Sequence, residues 1–313
     1  MVEKNRFLLI KSWSCGFWSA MEHVSGALLM AELTGRIPVV FWGADSLYAS
    51  EAPLIKDAFT MYYQPISQYT IDDVEKENFM YYPFRWNKSN LRFPGEVHLT
   101  DLDNVPDLFS RPENVLVSSI HTGIHYFQHL IKENHPVYGL DFHDKHRYIF
   151  RKYFKLQPYL SDEIEKFYNE NMKDKHPVLG VHVRGNDKIV ERPHLNQLNA
   201  AYFSEIDKYL EINPSASIFL LTDSESILEK YKVLYGNKVI HTDSIRTESE
   251  SVYESVHVGL PHCSKRQKGI DIVKDTYLAT KCDHFIGASY SNVSLAIYRL
   301  KEWPKGTITL MPE

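Results

Sequence analysis

The stretch 177-PVLGVHVRGNDKIVERP-193 decides how this chain is read. It opens as a buried strand, Val178, Leu179, Gly180, Val181, and runs at once into His182, Arg184, Asn186, Asp187 and Lys188. Core strands of a parallel sheet are apolar throughout, and only their ends can carry charge. A strand that passes from valines to an arginine and a glycine delivers its tip to a charged ligand.

From there the pattern alternates to the end of the chain. "NAAYFSEIDKYLEIN" (199–213) has helical spacing, "SIFLLTDS" (217–224) reads as a strand, and "ESILEKYKVLYG" (225–236) as a helix. The strand "KVIHTD" (238–243), the helix "GIDIVKDTYLATKCD" (269–283), the strand "HFIGAS" (284–289) and the helix "SNVSLAIYRLK" (291–301) complete the series. Such alternation predicts a parallel sheet covered by helices on both faces. The N-terminal part repeats the theme: strand "RFLLI" (6–10), helix "SAMEHVSGALLMAELTG" (19–35) stopped by Gly35, strand "RIPVVFWG" (36–43). Residues 45–112 read as long loops with short elements, followed by the strand "NVLVSSIHTG" (114–123) and by helices with a proline break over 143–172.

A chain of 313 residues is too long for one ordinary core and suits two domains. The expected division is 1–165 and 166–313, each an α/β unit. The apolar fraction of 43% and the aromatic fraction of 13% can build both cores. A formal charge of −5 provides no global attraction for nucleic acid, so a polyanion site must be local. Three cysteines without a CxxC pair do not make a disulfide framework. The apolar core of the first residues is too short for a secretory signal, and no run is long enough to span a membrane. The expectation is a cytoplasmic protein, with peripheral membrane contact left open.

In open α/β sheets, ligands lie beyond the carboxyl ends of the strands. That rule gathers His182, Arg184, Asn186 and Asp187 with Asp223 and with Ser289, Ser291 and Asn292, where a helix begins. A helix N-terminus facing an arginine fork suits phosphate, so the expected ligand is a diphosphate, with the acidic side chains on the hydroxyls and base of a nucleotide. Plainer readings stand beside these. Arg184 suits a salt bridge, His182 a core histidine, Asp275 an exposed helix carboxylate, and Asp223 and Ser291 helix caps. Gly16, at the first strand–helix turn, would let the backbone approach a phosphate. His121, His125 and His129 have a zinc spacing only if they are helical, and the expected site needs no metal. The basic run 262–268 reads as a loop. The aromatics Tyr62, Tyr63, Tyr81, Tyr82 and Trp86 suit sugar stacking or core.

Three motifs resemble the fucosyltransferase superfamily, which includes α1,6-fucosyltransferases, the rhizobial nodulation fucosyltransferase and protein O-fucosyltransferases. "GVHVRGNDK" (180–188) resembles the donor-binding peptide of that group. "IFLLTDSESILEKYK" (218–232) is similar to its next motif, and "VKDTYLATKCDHFIGASYSNVSLAIYRL" (273–300) to its third. "GFWSAMEHVSGALLMAELTGR" (16–36) resembles the opening turn and helix of the O-fucosyltransferases. The resemblance implies a GT-B fold with two Rossmann-like domains facing a central cleft. It also implies an inverting, metal-independent enzyme without a cofactor that moves L-fucose from GDP-fucose to a hydroxyl of a glycan acceptor. By this analogy Arg184 holds the β-phosphate, His182 lies against the nucleotide, and Asp275 accepts from guanine. Asp223 then lies near ribose or phosphates, and Ser291 and Asn292 bind phosphate. Arg184 is followed by Gly185, where the α1,6 enzymes have a second arginine, and Ser19 stands where the O-fucosyltransferases carry asparagine. The base is Glu191, Asp187 or Glu22, in that order. Another nucleotide-sugar donor, or a binding protein without catalysis, are the competing readings.

Overall fold

The computed structural model describes residues 5–12, 14–49, 56–94, 105–119, 121–185, 195–247 and 264–312. The chain forms two compact units, Met1–Gln157 and Pro158–Glu313. The division falls just ahead of helix α4 (Pro158–Asn171), which a cut at 165 would split.

The first unit is built on a fully parallel sheet of strands β1 (Phe7–Lys11), β2 (Ile37–Phe41), β3 (Tyr81–Tyr82) and β4 (Val115–Ser118), in the order β2-β1-β4-β3. Helix α1 (Phe17–Thr34) carries the crossover from β1 to β2 and ends on Gly35. It packs so tightly that a Cβ on Gly26 would lie 1.7 Å from the Thr122 carbonyl oxygen. Helix α2 is one turn, Ile71–Val74, and α3 spans Phe142–Tyr153. Tyr62, Tyr63, Tyr81 and Trp86 are buried, so these four aromatics are core rather than sugar platforms. Tyr82 is half-buried and carries the Arg111 guanidinium 3.8 Å from its ring centroid.

The second unit holds β5 (Val178–His182), α5 (Leu195–Ile212), β6 (Ser217–Leu221), α6 (Glu225–Tyr235), β7 (Val239–Ile240), α7 (Lys265–Ala279), β8 (His284–Ala288), α8 (Asn292–Leu300) and β9 (Ile308–Met311). The sheet order is β7-β6-β5-β8-β9, every pair parallel. Leu179, Val181, Ile218 and Leu220 are fully covered, or nearly so, each gaining about 1.5–3 kcal/mol of transfer free energy. Sequence runs on outward from β5 in both directions, so the order reverses between β5 and β8. That is where such sheets open a crevice. Two expectations need correcting. Lys265–Lys268, read as loop, are the first turn of α7, capped by Ser264, whose Oγ accepts from Gln267 N at 3.4 Å. The strand over 238–243 is only Val239–Ile240, because the residues after it turn to bind α7 instead.

Among the described residues no helix is long and apolar enough to cross a membrane. The Gly26 contact provides a test of packing in the first unit. Gly26→Ala should destabilise the protein by about 1–3 kcal/mol, read as a lower denaturation midpoint in urea. An unchanged midpoint would show that the loop at Thr122 yields without cost.

Candidate active site

Beyond the end of β5 the chain is held by one carboxylate. Asp223 Oδ2 lies 2.8 Å from Arg184 Nη1, and Asp223 Oδ1 accepts the Gly185 N–H at 2.7 Å. Asn199 on α5 donates to the Arg184 carbonyl at 3.0 Å, so backbone and side chain are fixed together. Gly185 is required by this arrangement: a Cβ there would lie 2.6 Å from Asp223 Oδ1 and 2.7 Å from Ser224 Cβ. Arg184 is nearly buried, 8% exposed, so the salt bridge that the plainer reading expected is present but is not a surface pair. Asp223 caps no helix. The cap of α6 is Ser224, whose Oγ accepts from Ile227 N at 3.4 Å.

The other side of the crevice is the start of α8. Ser291 occupies the cap position with no side-chain cap bond, so the first backbone N–H groups of the helix face outward with no capping oxygen from Ser291. Ser291 is buried and Asn292 half-buried, whereas Ser289 is exposed and tied by its N–H to Met311 O at 2.9 Å. The first turn is pinned to β5 through Ser294. Its Oγ accepts from Ala288 N at 3.0 Å and lies 2.7 Å from His182 Nδ1. The hydroxyl has a proton to donate and a second lone pair to accept with, so this contact is compatible with either neutral tautomer of the ring. Burial, and then the nearby Arg184, hold the His182 pKa down to about 3, so the ring is neutral. His182 is thus a core histidine in its surroundings and a strand-end residue in its position.

Asp275 is not an exposed helix carboxylate. It is buried on α7, and Thr242 Oγ1 donates to its Oδ1 at 2.6 Å. Arg246 reaches the Ser244 and Thr242 carbonyls at 3.0 and 2.9 Å, and Asp271, one helical turn before Asp275, accepts from Ile245 N at 3.0 Å. Burial pushes the Asp275 pKa up to about 6 against the pull of these hydroxyls and of Arg246. Sequence reasoning missed Ser294, Thr242, Arg246 and Asp271. The available signal was spacing: Asp271 is four residues before Asp275 and Ser294 three after Ser291, each on one helix face.

In the first unit, Gly16 precedes α1, and a Cβ there would meet nothing within 4 Å. Glu22 on α1 is half-buried, with Oε1 3.8 Å from His146 Nε2, while His146 Nδ1 lies 2.9 Å from Ser25 Oγ. His125 and His129 lie in separate short 3-10 turns, Ile124–Tyr126 and Gln128–Leu130, and His121 precedes both. Their spacing therefore makes no helical face. Among the described residues no group of three or more His, Cys, Asp or Glu side chains could hold a metal ion. Asn186, Asp187 and Glu191 lie outside the described residues.

No protein-family model and no curated protein matches the sequence. Solved structures do match the fold. The α1,6-fucosyltransferase NodZ, in a crystal soaked with GDP-fucose, is 20% identical with a TM-score of 0.63, over 95% of this chain and 93% of that one. NodZ from Bradyrhizobium gives 20% identity and a TM-score of 0.62, over 94% and 92%. POFUT1 in complex with GDP gives 13% identity and a TM-score of 0.55, over 100% and 98%. At these identities the likeness defines the architecture: this is the GT-B fold of fucosyltransferases, traced over nearly the whole chain.

The two perturbed groups predict opposite pH effects. The unfolded chain takes up a proton on His182 near pH 6.5 and the folded one near 3, so its contribution is complete above pH 6.5 and lost as pH falls toward 3. Asp275 ionises at about 4 unfolded and about 6 folded, so its charge costs stability as pH rises through that window. Asp275→Asn should match the parent near pH 4 and exceed it well above pH 6 by about 3 kcal/mol in denaturant titrations. A constant difference at all pH values would remove the buried carboxylate from this account.

Proposed function

We propose that the chain is a fucosyltransferase that moves L-fucose from GDP-fucose to a sugar hydroxyl of a glycan acceptor, with inversion and without a metal ion. The second unit takes the donor and the first serves the acceptor. The observation that carries this reading is the pair of features at the ends of the neighbouring strands β5 and β8, where the sheet order reverses. There a guanidinium oriented by a carboxylate stands at one strand end, and a helix without a side-chain cap begins at the next. Both features favour a diphosphate. The fold adds support, since NodZ was soaked with GDP-fucose and co-crystallised with GDP, and POFUT1 was solved in complex with GDP.

In this reading the acceptor oxygen attacks C1 of fucose while the bond from C1 to the β-phosphate oxygen breaks. The electron pair of that bond stays on the phosphate. Arg184 and the N–H groups at the start of α8 stabilise the charge that builds there. Asp223 keeps the guanidinium aimed, so its contribution is orientation, and a ribose contact would be additional. The acceptor proton goes to a carboxylate, with Glu191 first, Asp187 second and Glu22 third. Ionised Asp275 accepts from guanine N1 and N2, which ties base recognition to its pKa. His182 supports the floor of the site in its neutral form.

Thermal melting with nucleotides tests the donor assignment. GDP at 100 times its dissociation constant should stabilise the protein by about 2.7 kcal/mol, with or without EDTA, and UDP should do so far less. Below pH 6 the preference for GDP should shrink. Equal shifts from both nucleotides would remove guanine recognition by Asp275. Arg184→Lys should keep the fold and lose most transfer of fucose from GDP-fucose, because a point charge cannot replace the planar fork. Glu191→Gln should keep GDP binding while turnover falls roughly 10²–10⁴-fold. Full turnover in Glu191→Gln moves the base to Asp187 or Glu22. GDP binding without turnover under any acceptor favours a sugar-nucleotide-binding protein.

A further inference from the structure

The donor reading leaves the histidines that follow β4 without a role. In the first sheet the strand order reverses between β1 and β4, and ligands of open parallel sheets lie beyond the carboxyl ends at such a reversal. The chain leaving β4 through His121, His125 and Tyr126 runs from that end, and every residue around it belongs to the first unit.

This stretch is pinned to α1 from below. Thr122 is fully buried, its N–H donates to His23 Nδ1 at 3.0 Å, and its hydroxyl lies 2.7 Å from Ser118 Oγ. Ile124, also fully buried, anchors the short turn Ile124–Tyr126. Gly123 leaves room between them for two imidazoles: a Cβ there would lie 2.5 Å from His125 Nδ1 and 3.0 Å from His121 Cε1. The rings so placed form one group. His125 and Tyr126 are 4.0 Å apart between centroids, and His121 is 6.2 and 6.3 Å from the two. Phe142, the first residue of α3, lies 6.5 Å from His125. Tyr62 and Tyr63 are sealed in the core, but His125 is exposed and Tyr126 is 44% exposed, so these rings reach solvent.

The carboxylate beside this group is Glu22 of α1. Its Oε1 lies 3.8 Å from His146 Nε2, and the His146 ring packs on Phe142 at 4.8 Å between centroids. Burial holds the His121 pKa below the usual histidine value; the Glu22 charge opposes that and His125 adds to it. At neutral pH the His121 ring is therefore uncharged and has one nitrogen to donate and one to accept.

Charge and shape narrow the ligand class. An anion would meet Glu22. An apolar ligand would strip water from the carboxylate and the imidazole nitrogens without replacing its hydrogen bonds. A small cation would use the carboxylate and leave the rings uncovered. A neutral sugar ring suits both parts. Its C–H face meets the negative face of an aromatic ring, and its hydroxyls meet the carboxylate and the imidazole.

We propose that His121, His125 and Tyr126, with Glu22, form the subsite for a neutral sugar ring of the acceptor. The C–H face lies on Tyr126 and His125, and the hydroxyls bond Glu22 and His121. That this sugar belongs to an acceptor rests on the fucosyltransferase reading; that a sugar binds here does not.

Saturation-transfer NMR on the full chain, without nucleotide, tests the subsite. The probes are D-glucose, D-galactose, D-mannose and N-acetyl-D-glucosamine at millimolar concentration, with D-glucuronate and D-glucosamine as the anionic and cationic controls. At least one neutral sugar should receive saturation, and both controls much less. The same sugar should move the imidazole Cε1–H resonance of His125, identified by its loss in His125→Ala. Tyr126→Ala removes an exposed ring, so the chain folds, and the transfer should fall several-fold; His125→Ala should act in the same direction. Sugar binding in a chain that GDP fails to stabilise would uphold the subsite and remove the donor reading. No transfer to any neutral sugar, stronger transfer to either control, or transfer unchanged in Tyr126→Ala would each overturn the proposal.

Discussion

A parallel sheet covered on both faces has no room for charge along its strands, and every polar group it presents must gather at their ends. In the second unit this constraint meets one carboxylate. Asp223 binds the Gly185 amide with one oxygen and the Arg184 side chain with the other, so the turn after β5 and the direction of its guanidinium have a common origin. The mutual arrangement of strand end, turn and helix start follows from that grip and from Ser294, which joins His182 to the amide of Ala288. Neither contact involves a long flexible side chain at both ends. The crevice is therefore organised before any ligand arrives, which is the condition under which an electrostatic site contributes most to a reaction.

The first unit answers the same constraint differently. The last residue of β1 is Lys11, entirely buried, 3.2 Å from Asp45 and donating to the carbonyls of Leu91, at 2.9 Å, and Phe93. Its ammonium also lies 4.4 Å from the Trp86 ring centroid. Here the cation at the strand end is enclosed by protein and holds the residues around 86–93 in place. One unit thus uses its basic strand end for architecture, and the other leaves its basic strand end next to a helix start without a side-chain cap. This difference between two similar sheets is what supports the proposed donor site in the second.

Much of this was legible in the sequence, because strand cores and helix faces obey short periods. The strands at 7–11, 37–41, 178–182 and 217–221, and the helix closed by Gly35, follow from apolar runs and a stop signal. The expected division at 165 falls inside α4, because the sequence shows a helix there but not which unit it packs with. What escaped depended on long-range partners. β9 has only four residues, half-buried at a sheet edge, and exists because β8 offers it a ladder. β3 is two residues long for the same reason, paired to β4 alone. Arg184, Asp223 and Asp275 stood out in the sequence by their places after strands and in a helix. Their roles toward one another did not, since Asp223 and Arg184 are 39 residues apart and Thr242 and Asp275 33 apart. The aromatic middle was ambiguous because stacking surfaces and cores use the same residues, and only burial separates them.

The Lys11 arrangement has a consequence for exchanging parts between proteins of this architecture. A buried ammonium without its acceptors carries a desolvation penalty of several kcal/mol, so the acceptors cannot be replaced separately from the cation. Residues 86–93 fall in the stretch that reads, by its sequence, as long loops with short elements. In fact they are chemically continuous with the first strand, and a chimera would have to move Lys11, Asp45 and the carbonyls at 91 and 93 as one cassette. Any exchange in the middle of the chain has to leave that knot whole.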